Sequence, residues 1–235
     1  MAYPLYNPTN KSKFEGIIQF EGTEYLYELY FIPLHEENKE YLIKKFGQRT
    51  WKGEPCLDID ENLIKDYIDN DDVSVFGIVK EKGTNDEASG TIQVYNHCNK
   101  RRGLRASQVW INDVCRITTD DSIKSKISPV KVLFYIFEQL TINNLKKAEI
   151  CLFVDIEKKD ILVPQYNKYG YQVIPSDFCP LLGDEYIFMK KEGLQQDEKY
   201  INFPFDQNAG TKRTKRKRTI KRKIQTNKTK KYYKL

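Results

Sequence analysis

Hydrophobic and polar positions along the chain first predict a strand followed by two helices. Residues 23–34 (TEYLYELYFIPL) are rich in Tyr, Leu and Phe, which is typical of a buried strand. Residues 35–47 form a charged amphipathic pattern that ends at a glycine, and residues 60–70 predict a shorter helix. Three β segments follow, at residues 73–82, 89–98 and 107–117.

The connections between these β segments differ in character. The turn-rich segment GTNDEA, residues 83–88, predicts a hairpin between the first two. A basic loop joins the second to the third.

The second half of the chain carries the most regular helical pattern, over residues 130–147. Ser128 and Pro129 supply its N-cap and first-turn proline. Residues 148–155 are almost continuously apolar, as in a strand covered on both faces. A helix is predicted over residues 157–170, although its internal proline should kink it or displace its start. Residues 171–174 and 185–192 predict a closing pair of strands.

This order of elements predicts an α/β (α+β) fold with a mixed, mostly antiparallel central sheet and helices on both faces. Because a helix connects the strand at 107–117 to the strand at 148–155, we expect these two strands to be parallel. We divide the chain into a lead-in (1–20), a folded domain (21–195), a linker (196–210) and a disordered basic tail (211–235).

Charge is distributed unevenly along the 235 residues, whose formal net charge is +6. The last 25 residues contain 13 Lys or Arg and no acid, whereas the first 210 contain 26 basic and 33 acidic residues. Such a tail binds polyanions by releasing their counterions, and KRTKRKR fits a nuclear import signal. The alternative is a solubilising tail. The residues predicted to contact nucleic acid are Lys212, Arg213, Lys215, Arg216, Lys217, Arg218, Lys221, Arg222 and Lys223.

The remaining composition narrows the classes of function. No run of 18 apolar residues and no signal-peptide pattern occurs, so we expect an intracellular protein, cytoplasmic or nuclear, that is neither secreted nor bound to membrane. Five cysteines with no close pair fit reduced thiols. Together with only two histidines, they argue against a metal site.

The last third contains the phrase Tyr166-x-x-x-Gly170-Tyr171, placed after a strand, helix, strand and helix. In this order, from about residue 25 to residue 191, the chain resembles the GNAT superfamily of N-acetyltransferases. The resemblance implies a GNAT-like fold, acyl-CoA as cofactor (most simply acetyl-CoA, without metal) and transfer of the acyl group to an amine.

The resemblance also implies roles for individual residues. Tyr166 matches the tyrosine that protonates the departing thiolate, for which a phenol with a pKa near 10 is suited. The alternative is a tyrosine that only packs on the sheet. Val114, Cys115 and Arg116 would offer backbone amides to the pantetheine arm and the oxyanion. Asp113, and also Glu28 on the first strand, are candidate bases, with ordinary strand-end roles as the alternative.

One motif departs from the family pattern. The family has Gln/Arg-x-x-Gly-x-Gly/Ala before the long helix, whereas this chain reads Ile-Lys-Ser-Lys-Ile-Ser at residues 123–128. The residues Lys124, Ser125, Lys126 and Ser128 still form a cationic turn with hydroxyls at a helix N-terminus, which we expect to bind the cofactor's phosphates. The alternatives are a solvated loop and a catalytically inactive GNAT-fold binding protein. The acceptor amine, which could belong to a protein, and the oligomeric state stay open.

Overall fold

The computed structural model of the chain describes residues 13–31, 40–41, 50–51, 54–55, 74–95, 108–118, 125–145, 147–175 and 185–197. The strands are β1 (Lys13–Phe20), β2 (Thr23–Phe31), β3 (Thr50–Trp51), β4 (Glu54–Pro55), β5 (Ser74–Glu81), β6 (Asp86–Tyr95), β7 (Gln108–Thr118), β8 (Glu149–Asp155), β9 (Gln172–Val173) and β10 (Tyr186–Glu192). The helices are α1 (Pro129–Leu145) and α2 (Lys159–Lys168), with a 3-10 turn at Ile156–Lys158.

An eight-stranded sheet forms the centre of the fold, in the order β1-β2-β5-β6-β7-β8-β10-β9, while β3 and β4 pair separately. Neighbours are antiparallel except β7 and β8, which are parallel and connected through α1. Both the mixed, mostly antiparallel sheet and the parallel pair are therefore confirmed.

Strand β1 corrects the sequence analysis, which assigned residues 1–20 to a lead-in. Lys13–Phe20 pairs along its whole length with β2, and its Phe14 and Ile18 are 6% and 2% exposed. Glu21 and Gly22 make the tight turn between the strands, with φ of 48° and 83°. The folded sheet thus begins at least eight residues earlier than predicted.

Helix α1 packs closely on one face of the sheet because two paired glycines lie beneath it. Gly77 on β5 is opposite Gly90 on β6. A Cβ atom at Gly77 would lie 2.7 Å from the Phe137 ring and 2.8 Å from Leu133. Real side chains cannot come so close, so glycine permits the approach of α1.

The apolar core has two parts on the two faces of the sheet. The larger part combines α1 and Tyr166 of α2 with inward residues of every long strand, including Ile111, Leu152 and Met189. The smaller part contains their neighbours along the strands, Trp110, Cys151 and Phe188. This alternation explains the nearly continuous apolar sequence of β8, which is covered on both faces.

Several predictions fall outside the described residues. They include the helices at 35–47 and 60–70, apart from the helical pair Glu40 and Tyr41, the loop between β6 and β7, and the tail with its nine predicted nucleic-acid contacts. Helix α2 continues through Pro164 rather than starting after it. Among the described helices, none has the length and apolarity needed to cross a membrane.

Candidate functional site

The parallel strands β7 and β8 meet over a very short distance. Their register contains only Trp110 opposite Cys151 and Ile111 opposite Leu152, although β7 extends to Thr118 and β8 to Asp155. Beyond Ile111 the backbone groups of β7 that face β8 therefore have no pairing with that strand. The sheet is open here, at the carboxyl ends of both strands.

Strand β7 also carries a β-bulge beside this opening. Ser89 lies opposite Cys115 and Thr91 opposite Asn112, so two steps on β6 match three on β7. The extra residue falls at Asp113–Val114, and a bulge of this kind re-aims the backbone that follows it. Val114, Cys115 and Arg116, the residues predicted to use their amides, lie in the open part of β7 next to the bulge.

The segment before α1 forms one border of the opening. The carbonyl of Ser128 accepts hydrogen bonds from the amides of Lys131 at 2.9 Å and Val132 at 3.4 Å, so Ser128 is the N-cap residue and Pro129 the first residue of α1, as predicted. The Oγ atoms of Ser125 and Ser128 are buried. The Oγ atom of Ser128 has no hydrogen-bond partner among the described residues, whereas the Ser125 side chain interacts with the Asp86 carboxylate. The side chain of Lys126 is exposed, and Lys124 lies outside the described residues.

Asp86 is a residue of this border that the sequence analysis missed. The segment GTNDEA was predicted to be a hairpin connection, but Asp86 is the first residue of β6 and is fully buried. Its carboxylate accepts hydrogen bonds from Arg116 Nε at 2.9 Å, from Arg116 Nη2 at 2.6 Å and from the amide of Ser125 at 3.1 Å. Burial alone would raise the pKa of Asp86, but these hydrogen bonds outweigh it and hold the pKa below its ordinary value.

The end of α2 forms the other border of the opening. Two backbone hydrogen bonds explain why the helix ends before Gly170. The amide of Tyr171 donates to the carbonyl of Tyr166 at 3.1 Å, and that of Gly170 donates to the carbonyl of Asn167 at 3.0 Å. These two bonds define a Schellman motif, in which Gly170 takes a φ of 91°. The motif orients the last turn of α2, where Tyr166 lies.

Tyr166 is held by aromatic contacts rather than by hydrogen bonds. Its side chain is 8% exposed, and its ring centroid lies 5.3 Å from that of Phe134 and 6.4 Å from that of Tyr169. Its hydroxyl has no hydrogen-bond partner among the described residues, whereas Tyr169 Oη accepts one from Gln165 Nε2 at 3.4 Å. Burial, with a smaller contribution from Tyr169, raises the pKa of Tyr166 to about 12. Tyr166 is therefore a protonated phenol at neutral pH.

A partly buried ion pair lies beside Tyr171, the residue that follows the end of α2. Lys191 Nζ donates to both carboxylate oxygens of Glu138 at 2.8 and 2.7 Å, and Tyr171 Oη donates to the same carboxylate at 3.2 Å. Burial raises the pKa of Glu138 above its ordinary value, and the hydrogen bonds from Lys191 and Tyr171 oppose that rise. The network joins α1, β10 and the residue after Gly170.

The candidate bases stand in different positions. Asp113 lies in the bulge itself. Glu28 belongs to the cross-strand row of Ile78, Ser89 and Cys115, three strand spacings from β7, or about 14 Å. Its carboxylate also accepts hydrogen bonds from Tyr30 at 2.7 Å and Tyr41 at 3.4 Å. Glu28 is thus too distant from the opening to take a proton there directly.

The cysteines correct one expectation. Cys115 is disulfide-bonded, whereas Cys151 is free and buried. The prediction that all five thiols are reduced is therefore wrong for Cys115. The described residues contain no group of three or more His, Cys, Asp or Glu side chains placed to bind a metal ion.

The described residues thus contain a parallel pair that opens after two register positions, a bulge on its central strand, a helix that starts at the opening and a helix end that carries a tyrosine. No family model matches the sequence, and no curated protein matches it either.

Solved acetyltransferase structures are similar to the chain in fold. An acetyltransferase of the GNAT family from Listeria monocytogenes has 14% identity and a TM-score of 0.43, covering 75% of this chain and 99% of its own. The N-acetyltransferase PseH of Campylobacter jejuni has 11% identity and a TM-score of 0.40, covering 71% and 97%. Dodecameric spermidine N-acetyltransferase from Vibrio cholerae has 14% identity and a TM-score of 0.38, covering 74% and 96%.

Proposed function

We propose that this chain is an acyl-CoA-dependent N-acyltransferase, most simply one that transfers an acetyl group from acetyl-CoA to a primary amine. The observation that carries the proposal is the opening between β7 and β8, which pair at only two positions. A sheet opened at this point offers backbone groups that do not pair with the neighbouring strand β8 to an extended polar ligand.

The residues beside the opening fit coenzyme A. The amides of Lys126, Ile127 and Ser128 have no hydrogen-bond partner among the described residues, and the buried Oγ atom of Ser128 has none either. Phosphate oxygens accept from such amides and hydroxyls at a helix N-terminus. Lys126, with Lys124, would add positive charge. Acetyl-CoA, when bound, would supply an acyl group activated as a thioester.

The chain's own residues would divide the remaining work. Amides of Val114, Cys115 and Arg116 would bind the extended arm and stabilise negative charge on an oxygen. Tyr166 would hold a proton at Oη for release to a thiolate, because its raised pKa keeps it protonated. Asp113, in the bulge, is our candidate for receiving the proton of the amine.

The second candidate is an inactive GNAT-fold protein that binds nucleic acid through its tail. The absence of both loop glycines and the 13 basic residues of the tail favour it. The two candidates share the tail, which would bring either protein to nucleic acid or to a nucleus.

Thermal stability of the full chain with and without acetyl-CoA tests the enzyme proposal. A ligand that binds only the folded state at 100 times its Kd adds about 2.7 kcal/mol of stability, so we expect a clear rise in Tm. ADP serves as the control for non-specific phosphate binding. No rise at millimolar acetyl-CoA, together with no thiol release in the presence of polyamine or peptide amines, would favour the inactive alternative.

The tail is tested separately by DNA binding over a salt series. The whole chain should show a steep loss of affinity with increasing salt, and removal of residues 211–235 should abolish that dependence. Binding that survives the removal would assign the contact to another surface.

A further inference from the structure

The segment Ser125–Ser128 is held by side chains from two distant strands. Asp86 on β6 accepts the amide hydrogen of Ser125 at 3.1 Å. Tyr25 on β2 donates its hydroxyl hydrogen to the carbonyl of Ile127 at 2.7 Å. One contact fixes an N–H group and the other fixes a C=O group two residues later. The backbone orientation of the segment is thereby set from both sides.

Both anchors are themselves immobilised. The side chains of Tyr25 and Asp86 are 0% exposed. Two hydrogen bonds from Arg116, one to each carboxylate oxygen, fix the orientation of Asp86, and a bidentate pair of this kind is both strong and geometrically specific. Arg116 belongs to the open part of β7. The segment before α1 is therefore connected through Asp86 to the strand that borders the opening.

We propose that Asp86 and Tyr25 are positioning residues that preset Ser125–Ser128 for a phosphate-bearing ligand, in place of the glycines that this sequence lacks. The inference rests on the proposed function for the identity of the ligand, coenzyme A. Glycines would let main-chain amides approach an anion by removing side chains. Here the side chains remain, and the two anchors determine which amides point outward.

The geometry specifies the amides left for a ligand. The Ser125 amide is committed to Asp86, whereas the amides of Lys126, Ile127 and Ser128 have no partner within the described part of the chain. A segment already held in its binding conformation loses less conformational freedom when the ligand binds. Loosening an anchor should therefore weaken binding without removing any group that touches the ligand.

The test combines amide hydrogen exchange of the free full-length protein with the Kd of coenzyme A measured by calorimetry. Asp86→Asn should speed exchange of the Ser125 amide at least about tenfold, because opening then costs less, and should raise the Kd about tenfold. Tyr25→Phe, which removes only a hydroxyl, should produce about threefold changes in both quantities.

Two matched variants serve as controls. Glu138→Gln alters another buried carboxylate that holds an ion pair and a second hydrogen bond. Tyr27→Phe removes the hydroxyl of the next inward-facing tyrosine of β2, which is also buried. We expect both to leave exchange at Ser125–Ser128 and the Kd within twofold of wild type.

The outcomes separate this inference from the proposed function. If Asp86→Asn speeds amide exchange at Ser125 but the wild-type protein binds no coenzyme A, the anchoring role of Asp86 is retained and the enzyme proposal is rejected. If the Asp86→Asn protein melts cooperatively and its amides at Ser125–Ser128 exchange at the wild-type rate, Asp86 does not anchor this segment and the inference is wrong. Should Asp86→Asn fail to fold, Tyr25→Phe decides alone, and unchanged exchange and Kd in that variant would overturn the inference.

Discussion

The two helix ends that border the opening are held in different ways. The end of α2 is fixed by bonds within six consecutive residues, from Tyr166 to Tyr171. The start of α1 depends on Asp86 and Tyr25, which are 39 and 102 positions from the residues that they hold. The first end can form as soon as α2 forms, whereas the second is ordered only after β2, β6 and β7 are in place. Substitutions at the two ends should therefore have different consequences.

The largest expected effect is at the distant anchor of α1. Arg116→Met removes both guanidinium hydrogen bonds from the buried Asp86 carboxylate. Because the Arg116 side chain is 37% exposed and that of Asp86 is 0% exposed, the pair is only partly buried, and we expect a loss of about 2–3 kcal/mol. Urea unfolding measures the loss. Arg116→Lys keeps the charge but not the bidentate geometry, so it should cost less. A loss below about 1 kcal/mol for Arg116→Met would mean that the ion pair does not hold this end.

The next effect is on turnover, at the end of α2. Tyr166→Phe should lower kcat for acetyl transfer about 100-fold, within the range for a lost proton donor, while leaving the Kd of coenzyme A within about twofold. Steady-state kinetics and calorimetry measure the two quantities. Tyr169→Phe, at the C-cap of the same helix, is the matched control and should retain kcat within about threefold. Equal turnover by Tyr166→Phe and wild type would remove the role assigned to Tyr166.

A smaller effect tests whether the backbone turn at Gly170 orients Tyr166. Gly170→Ala places a Cβ atom at φ of 91°, which costs about 1–2 kcal/mol. Because the Schellman motif orients Tyr166, kcat should also fall. Gly193→Ala introduces a Cβ atom at φ of 65° with no atom within 4 Å of it, so it should lower stability comparably and leave kcat unchanged. The comparison fails if both variants alter kcat equally.

The smallest expected effect is a difference between Asp86 and Glu138 in how their contributions to stability depend on pH. The pKa of Asp86 is lowered from 3.8, so its contribution to stability is present above 3.8 and is lost as pH falls through its folded-state pKa. The pKa of Glu138 is raised from 4.5, so its contribution is present below 4.5 and is lost as pH rises through its folded-state pKa.

Unfolding free energies between pH 3 and 7 measure these opposite slopes. The stability gap between wild type and Asp86→Asn should narrow towards acid. The stability of Glu138→Gln relative to wild type should increase towards neutral pH. Parallel curves for all three proteins would show that neither carboxyl titrates differently on folding.

The sequence predicts the end of α2, which is held by neighbouring residues. It does not predict the contacts that hold the start of α1, which come from distant strands. The end of α2 can be predicted from the order strand, helix, strand, helix and from the glycine after Tyr169. A Schellman motif depends only on adjacent residues. Asp86 stands among Gly, Thr and Asn, where a turn is the natural interpretation. Its burial depends on β6 pairing with β7, and no property of neighbouring residues indicates that.

Strand β1 and the bulge were missed for related reasons. The sequence KFEGIIQF places charges at Lys13 and Glu15 and a glycine between its apolar positions, which weakens a strand pattern. Its strand conformation depends on pairing with β2. The extra residue at Asp113–Val114 is defined only relative to β6. Tyr166, Asp113, Val114, Cys115 and Arg116 remain predicted site residues, and the experiments above test Tyr166 directly.

The brief contact between β7 and β8 has a consequence for how the protein unfolds. It divides the sheet into β1-β2-β5-β6-β7 and β8-β10-β9, each internally continuous in its hydrogen bonding. The two strand sets share little main-chain bonding, yet α1 packs against members of both. Helix α1 and the ring contacts of Trp110 on β7 with Phe153 on β8 and Phe188 on β10 therefore supply much of the cooperativity between them. The three-strand set should open as a unit only when both connections are lost.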